Sequence, residues 1–313
     1  MPYLLRFYPT DSLVVLSMRD GAIGMTTRYE PPSSGEHQQT VEEVVATVIR
    51  GREEAVIGIV VADSPDPHPG PGRVPLIDAL SGAFGEAGVR FAAYWVSGIA
   101  AGVPWLSYHG GGAGVVSDPG SSVLAATERA PFASREALSA ELDPDPEEDL
   151  RRRAELIAAR SAEAGGHGDV VAWRRAVREV VGEYVVGTAD RVDALTDDDV
   201  AALCVALSDP EVRDSCVGFA VGTYGWAAEL LWAELARRSP EPYRADAATL
   251  LAVSAYLRGD GVFAAEAIDR ALAAVPGYRL ALLLRRALDR LLPPQVIREL
   301  AEAAVDGLLD DEA

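Results

Sequence analysis

The stretch YLRGDGVFAAEAIDRALAAVPGYRLALLLRRAL, residues 256–288, decides how the second half of the chain is read. Its alanines and leucines recur at helical spacing. Gly259-Asp260-Gly261 interrupts them near the start and Pro276-Gly277 interrupts them again. The spacing predicts a helix over 247–258, a turn at the glycines, an antiparallel helix over 262–274 and a third helix from Tyr278. Counted back from Pro276, Ala271, Ile268 and Ala264 alternate small, large and small on one face. Small residues at such positions let two helices approach closely.

Working outward, β signals largely vanish after residue 146. EEDLRRRAELIAARSAEAG, DVVAWRRAVREVVGEYV, TDDDVAALCVALSD, PEVRDSCVGFAVG and AAELLWAELARRSP all carry helical periodicity. Thr196 is placed to cap one helix, with Asp197, Asp198 and Asp199 in its first turn at the positive end of the dipole. DPDPEED (143–149) reads as a stiff solvated linker, and LRRRAE (150–155) as a solvated helix start. Cys204 and Cys216 sit among apolar neighbours and read as small buried hydrophobes. The hairpin near 246–290 matches the small–large–small pattern of a tetratricopeptide (TPR-like) unit, with Ala252 where that repeat typically has glycine. Arg258, Arg279, Arg285 and Arg286 are the arginines expected on its outer faces and are candidates for holding an acidic protein partner.

The first half alternates differently. In SLVVLSMRDGAIGMTTRYE, an apolar β-rich run (13–18) meets Asp20-Gly21, a favoured two-residue hairpin turn, and a second strand follows over 22–28. TVEEVVATVIRGR puts Val41, Val44, Val45 and Val48 on one helical face, with Thr40 as its cap. AVIGIVVAD is a continuous apolar strand of the kind buried on both faces of a sheet. VPLIDALSGAFGEAG reads as an amphipathic helix, VRFAAYWVSG as a strand and VPWLSYH as another. The expected fold is an α/β layered domain over 1–142 with a mixed sheet and parallel crossovers, followed by an all-α domain over 143–313.

Two loops interrupt the α/β pattern. DSPDPHPGPGR (63–73) follows a buried strand, where loops at carboxyl ends line the usual ligand crevice; a surface loop is the expectation, a lid the alternative. YHGGGAGVVSDPGSS (108–122) is glycine-rich and leads to a helix near Ser121. It lacks the Gly-Lys-Ser/Thr ending of a phosphate loop and does not match G-x-G-x-x-G. HGGG (109–112) resembles an oxyanion-hole motif, but the chain has no G-x-S-x-G elbow, and the only later histidine is His167. A connecting loop is therefore expected. His37, His68, His109 and His167 are scattered without ligand spacing, so no metal, cofactor or catalytic residue is assigned.

Net charge is −20, and all 28 basic residues are arginine, since the chain contains no lysine. It contains no asparagine either, and the absence of both points to a high-GC bacterial genome. The negative field disfavours nucleic-acid and anionic-membrane partners. There is neither a bilayer-length apolar run nor a signal-peptide pattern, and two cysteines make no disulfide framework, so a cytoplasmic protein is expected.

The blocks PYLLRFYPTDSLVVLSMRDGAIGMTTRYEPP (2–32), WLSYHG (105–110), SDPEVRDSCVGF (208–219), residues 231–284 and LPP (292–294) together resemble the bacterial family called domain of unknown function 4192. The resemblance spans nearly the whole chain. It implies an architecture without an activity. Polar and aromatic residues inside its blocks are the ligand-site candidates: Asp11 and Ser12 before the first strand, Arg28 and Glu30 after the second, and Tyr94, Trp105, Ser107 and Tyr108 on or beside later strands. Each also has a structural reading as turn closure, ion pair or core filler. The expected role is a non-enzymatic binding or scaffold protein whose helical half meets a protein partner, with a homo-oligomer left open. The alternative is a small-ligand sensor or enzyme with its site at the sheet edge.

Overall fold

The computed structural model describes residues 1–19, 21–31, 37–51, 53–62, 73–110, 112–127, 130–163, 169–186, 195–290, 292 and 294–309. They fall into two compact units, Met1–Leu138 and Ser139–Ala313.

The first unit begins with a single helical turn, α1 (Pro2–Leu5). β1 (Ser12–Arg19) and β2 (Ala22–Tyr29) then form the expected antiparallel hairpin, with Leu13 opposite Tyr29 and Val15 opposite Thr27. Asp20 lies outside the described residues, but Gly21 holds φ +76, a value that a side chain would strain. α2 (His37–Gly51) follows, then β3 (Ala55–Val61), α3 (Val74–Glu86), β4 (Arg90–Val96), β5 (Pro104–Ser107) and β6 (Ala113–Val115). α4 (Val123–Thr127) and α5 (Arg135–Ala140) close the region.

The sheet is mixed, with strand order β2-β1-β3-β4-β5-β6. Only β3 and β4 are parallel neighbours, joined across α3; every other adjacent pair is antiparallel. The expectation of parallel crossovers is thus met once. After α2 the chain passes over β1, so β3 pairs antiparallel with β1 and not with β2. β6 lies inside the stretch read as a connecting loop. Three residues are too short to show a period, and pairing with β5 alone makes them a strand.

One face of the sheet carries the core. Leu13, Val15, Val56, Val60, Ala93 and Trp95 meet Val44 and Val48 of α2 and Leu76, Ile77, Leu80 and Phe84 of α3. Val41 and Val45 pack at its margin, so all four valines of the α2 face are used. Thr40 is not the cap: the helix starts at His37, and Thr40 is buried within it. β3 alternates half-buried and buried residues from Ala55 to Val60, and only at its carboxyl end, where Val60 and Val61 are both buried, does it reach the two-sided burial its apolar run suggests.

Among the described residues the second unit holds helices and no strand: α6 (Glu147–Glu163), α7 (Val170–Val186), α8 (Asp197–Ser208), α9 (Pro210–Cys216), α10 (Gly225–Arg238), α11 (Arg244–Leu257), α12 (Gly261–Ala274), α13 (Arg279–Asp289) and α14 (Pro294–Leu309). Thr196 caps α8 in a reciprocal capping box with Asp199. Every residue of α11 is buried, which makes it the central helix. α12 returns antiparallel along it after Gly259, at φ +85, and Ala264, Ile268 and Ala271 are fully buried there.

The 143–149 segment is not a solvated linker. Asp145 accepts from Arg153 at 2.7 Å, and Glu147, Glu148 and Asp149 occupy the first turn of α6. Arg153 is only 4% exposed and also bonds Asp197 at 2.6 Å and the Arg238 carbonyl at 3.0 Å. The basic run read as a solvated helix start therefore contributes a buried tie between α6, α8 and α10. Periodicity could not reveal this, because all three acceptors come from other elements.

Candidate functional site

Strand alternation divides the eight ligand-site candidates between the two faces of the sheet. Ser12 and Arg28 share one face, and the Arg28 Nε donates to the Ser12 hydroxyl at 2.7 Å. That hydroxyl donates in turn to the Thr10 carbonyl at 2.6 Å, closing the turn before β1. Glu30 accepts from the Arg28 Nη1 at 3.4 Å. Arg28 also adds its field at Glu136, whose carboxyl is held below its ordinary value mainly by the Ser134 hydroxyl.

Register places Arg28, Val14, Ile59, Tyr94 and Ser107 in one cross-strand row on this same face. Arg28 and Tyr94 are three strand spacings apart, about 14 Å at ~4.8 Å each. Tyr94 meets Trp105 edge to face at 5.5 Å between ring centres. The indole crosses Gly114 of β6, where a Cβ would lie 2.8 Å from ring atoms. This pair is a built aromatic patch, separated from Arg28 by aliphatic side chains.

Tyr108 packs on the other face, against the α2/α3 core. Burial pushes its phenol up, and Arg73 partly offsets that. Arg73 precedes α3 and pairs with Asp11 at 3.2 Å. Asp11 and Arg73 hold φ +36 and +65, and Arg6 is the only other described non-glycine residue with positive φ. Such backbone costs about 1–3 kcal/mol per residue and gathers at ligand sites and switches. The sheet thus separates Arg28 and Glu30 from Tyr108 and unites Asp11 with Arg73 at the carboxyl end of β3. Arg73 entered the sequence reading only as the end of a Pro/Gly loop. Its one local signal was a charged residue just before a Val-Pro helix start. Residues 63–72 of that loop lie outside the described residues.

The partner-site arginines separate as well. Arg258 grips the buried Glu229 with two bonds, at 2.9 and 3.1 Å, and also meets Asp260 at 3.4 Å, so it ties α10 to the turn before α12. Arg285 pairs with Asp269 of α12. Arg279 and Arg286 are exposed. With Leu283, which is 56% exposed, and Arg290, they follow an i, i+4, i+7, i+11 spacing along α13. Leu283 and Arg290 were legible at this helical spacing but were not singled out. Tyr224 and Trp226, both half-exposed beside the start of α10, were also missed.

Cys204 and Cys216 are buried, and burial pushes both thiols up to about 12, the opposite of an activated nucleophile. Among the described residues no group of three or more His, Cys, Asp or Glu is placed to hold a metal ion. Among them, too, no helix is long and apolar enough to cross a membrane. The sequence model described as Domain of unknown function (DUF4192) matches residues 1–295. No curated protein and no solved structure matches the chain.

Proposed function

The chain belongs to the DUF4192 family, a membership that carries no activity with it, and from that premise we propose a non-enzymatic cytoplasmic binding or scaffold protein whose helical unit docks a protein partner. The observation that carries this reading is the outer stripe of α13. Arg279, Arg286 and Arg290 flank the exposed Leu283, and none of the three has a side-chain partner among the described residues. In a chain with 48 acidic residues, unpaired arginines on one stripe favour an acidic partner with an apolar anchor. We read α11 and α12 as a TPR-like hairpin, supported by the buried Ala264–Ile268–Ala271 face and the Gly259 turn. Because α11 is buried throughout, the partner-facing surface in this reading is α13.

The test is affinity purification from the native host with mass spectrometry, comparing wild type with Arg279→Glu/Arg286→Glu/Arg290→Glu. The reading expects a stoichiometric partner that the triple variant loses at unchanged melting temperature. A partner recovered equally by both proteins would remove α13 from the interface. The alternative, a small-ligand sensor or enzyme at the sheet edge, draws on the strained Asp11–Arg73 pair. Thermal-shift screening of wild type against Arg73→Ala tests it, and hits shared by both proteins would refute it.

A further inference from the structure

Two arginines of the helical unit are almost equally buried, yet their surroundings differ. Arg153, 4% exposed, has carboxylates at 2.6 and 2.7 Å and a carbonyl at 3.0 Å. Arg244, 6% exposed, opens α11, and among the described residues its side chain has a single polar contact, Nη1 to the Glu241 carboxylate at 3.5 Å. That carboxylate is itself mostly exposed. The Arg244 Nε is sealed from solvent and has no acceptor among the described residues. The difference appears in their proton affinities. Burial lowers that of Arg244, Glu241 only partly offsets it, and the nearby Arg270 lowers it further. For Arg153, Asp197 and Asp145 outweigh burial and raise it.

An arginine cannot relieve this by losing its proton. A buried charge needs a counter-charge, and a removed partner typically costs far more than the pair contributes. The acids near Arg244 do not fill the role. Asp145, which favours its charge from a distance, is already held by Arg153 at 2.7 Å. Glu147 is exposed in the first turn of α6. Arg270 has its Nη2 on Ser139 and Asp143, and its buried Nε faces the Glu266 carboxylate at 3.5 Å. The Arg244 guanidinium thus keeps an unused Nε donor, with the positive Arg270 nearby. A planar donor fork of this kind matches the paired oxygens of a carboxylate or a phosphate.

We propose that Arg244, supported by Arg270, anchors a small-oxyanion site at the start of α11, taking a carboxylate or phosphoryl group. The site is independent of the α13 stripe and needs no chemistry beyond binding. Its test follows the arginine Nε–Hε resonance of Arg244 in the full-length protein, assigned by its loss in Arg244→Met. Sodium phosphate and sodium acetate are titrated against sodium chloride at matched ionic strength. The resonance should move saturably with phosphate, with acetate or with both, and not with chloride; the stronger probe identifies the ligand class. Affinity, read in wild type and variants alike from the backbone amide shifts at the start of α11, should fall at least tenfold in Arg244→Met. It should also fall in Arg244→Lys, which keeps the charge without the fork and guards against misfolding of the first variant. No saturable shift with either oxyanion overturns the site. Wild-type affinity in both variants overturns it equally, because the ion would then be adventitious and bound elsewhere.

Discussion

Ala271→Leu tests the helix pairing at the centre of the helical unit. Ala271 is fully buried on α12, one turn from Ile268 and two from Ala264, and α12 packs along the wholly buried α11. Leucine adds three carbons at a position where the single methyl is already enclosed. Alanine and leucine have nearly equal helix propensity, so the change isolates packing. Overpacking of this sort costs about 1–3 kcal/mol. At ~2–4 °C per kcal/mol for a unit of this size, the melting temperature should fall by about 2–12 °C. Ala273→Leu is the control, since Ala273 is exposed on the same helix, and it should stay within about 0.5 kcal/mol of wild type. Far-UV circular dichroism during thermal and urea unfolding reports mainly on helices and so on this unit. Equal stability of the two variants would refute the close α11–α12 contact.

Gly259→Val should destabilise the same hairpin by about 1–2 kcal/mol, because Gly259 holds φ +85, whereas Gly261→Ala, at the helical first position of α12, should be tolerated. Urea unfolding of both variants checks this. Gly114→Ala would place a Cβ 2.8 Å from the Trp105 ring, so tryptophan fluorescence and near-UV dichroism should change as the indole is displaced. The Asp197 carboxyl is raised by burial but lowered more by its bonds to Arg153 and Arg152, leaving it below its ordinary value. Its stabilisation is therefore present above the unfolded carboxylate value, ~3.9, and fades as pH falls through the lower folded value. The stability advantage of wild type over Asp197→Asn should shrink below about pH 4 in acid titrations. Cys204 and Cys216 should resist iodoacetamide in the folded protein and react once denaturant exposes them, as mass spectrometry would read.

Much of this architecture was written locally. Asp20-Gly21 between two apolar runs specifies a hairpin because backbone preference and strand alternation agree over few residues. Thr196 with Asp199 announces the start of α8 for the same reason, since donor and acceptor lie three positions apart. The α12 face with Ala264, Ile268 and Ala271 is equally local, as a helix period displays it directly. What only the tertiary structure decided rests on pairings between distant residues. β3 lies against β1 and not β2 because strand order answers to the burial of a shared face, which no single strand encodes. The placement of Tyr108 and Arg28 on opposite faces follows from register across five strands. Arg153, Arg244 and Arg258 are alike in sequence, each an arginine in or beside a helix. Whether such a charge meets water, a full set of acceptors or almost none depends on which side chains the other helices bring to it, and helix periodicity carries no record of them.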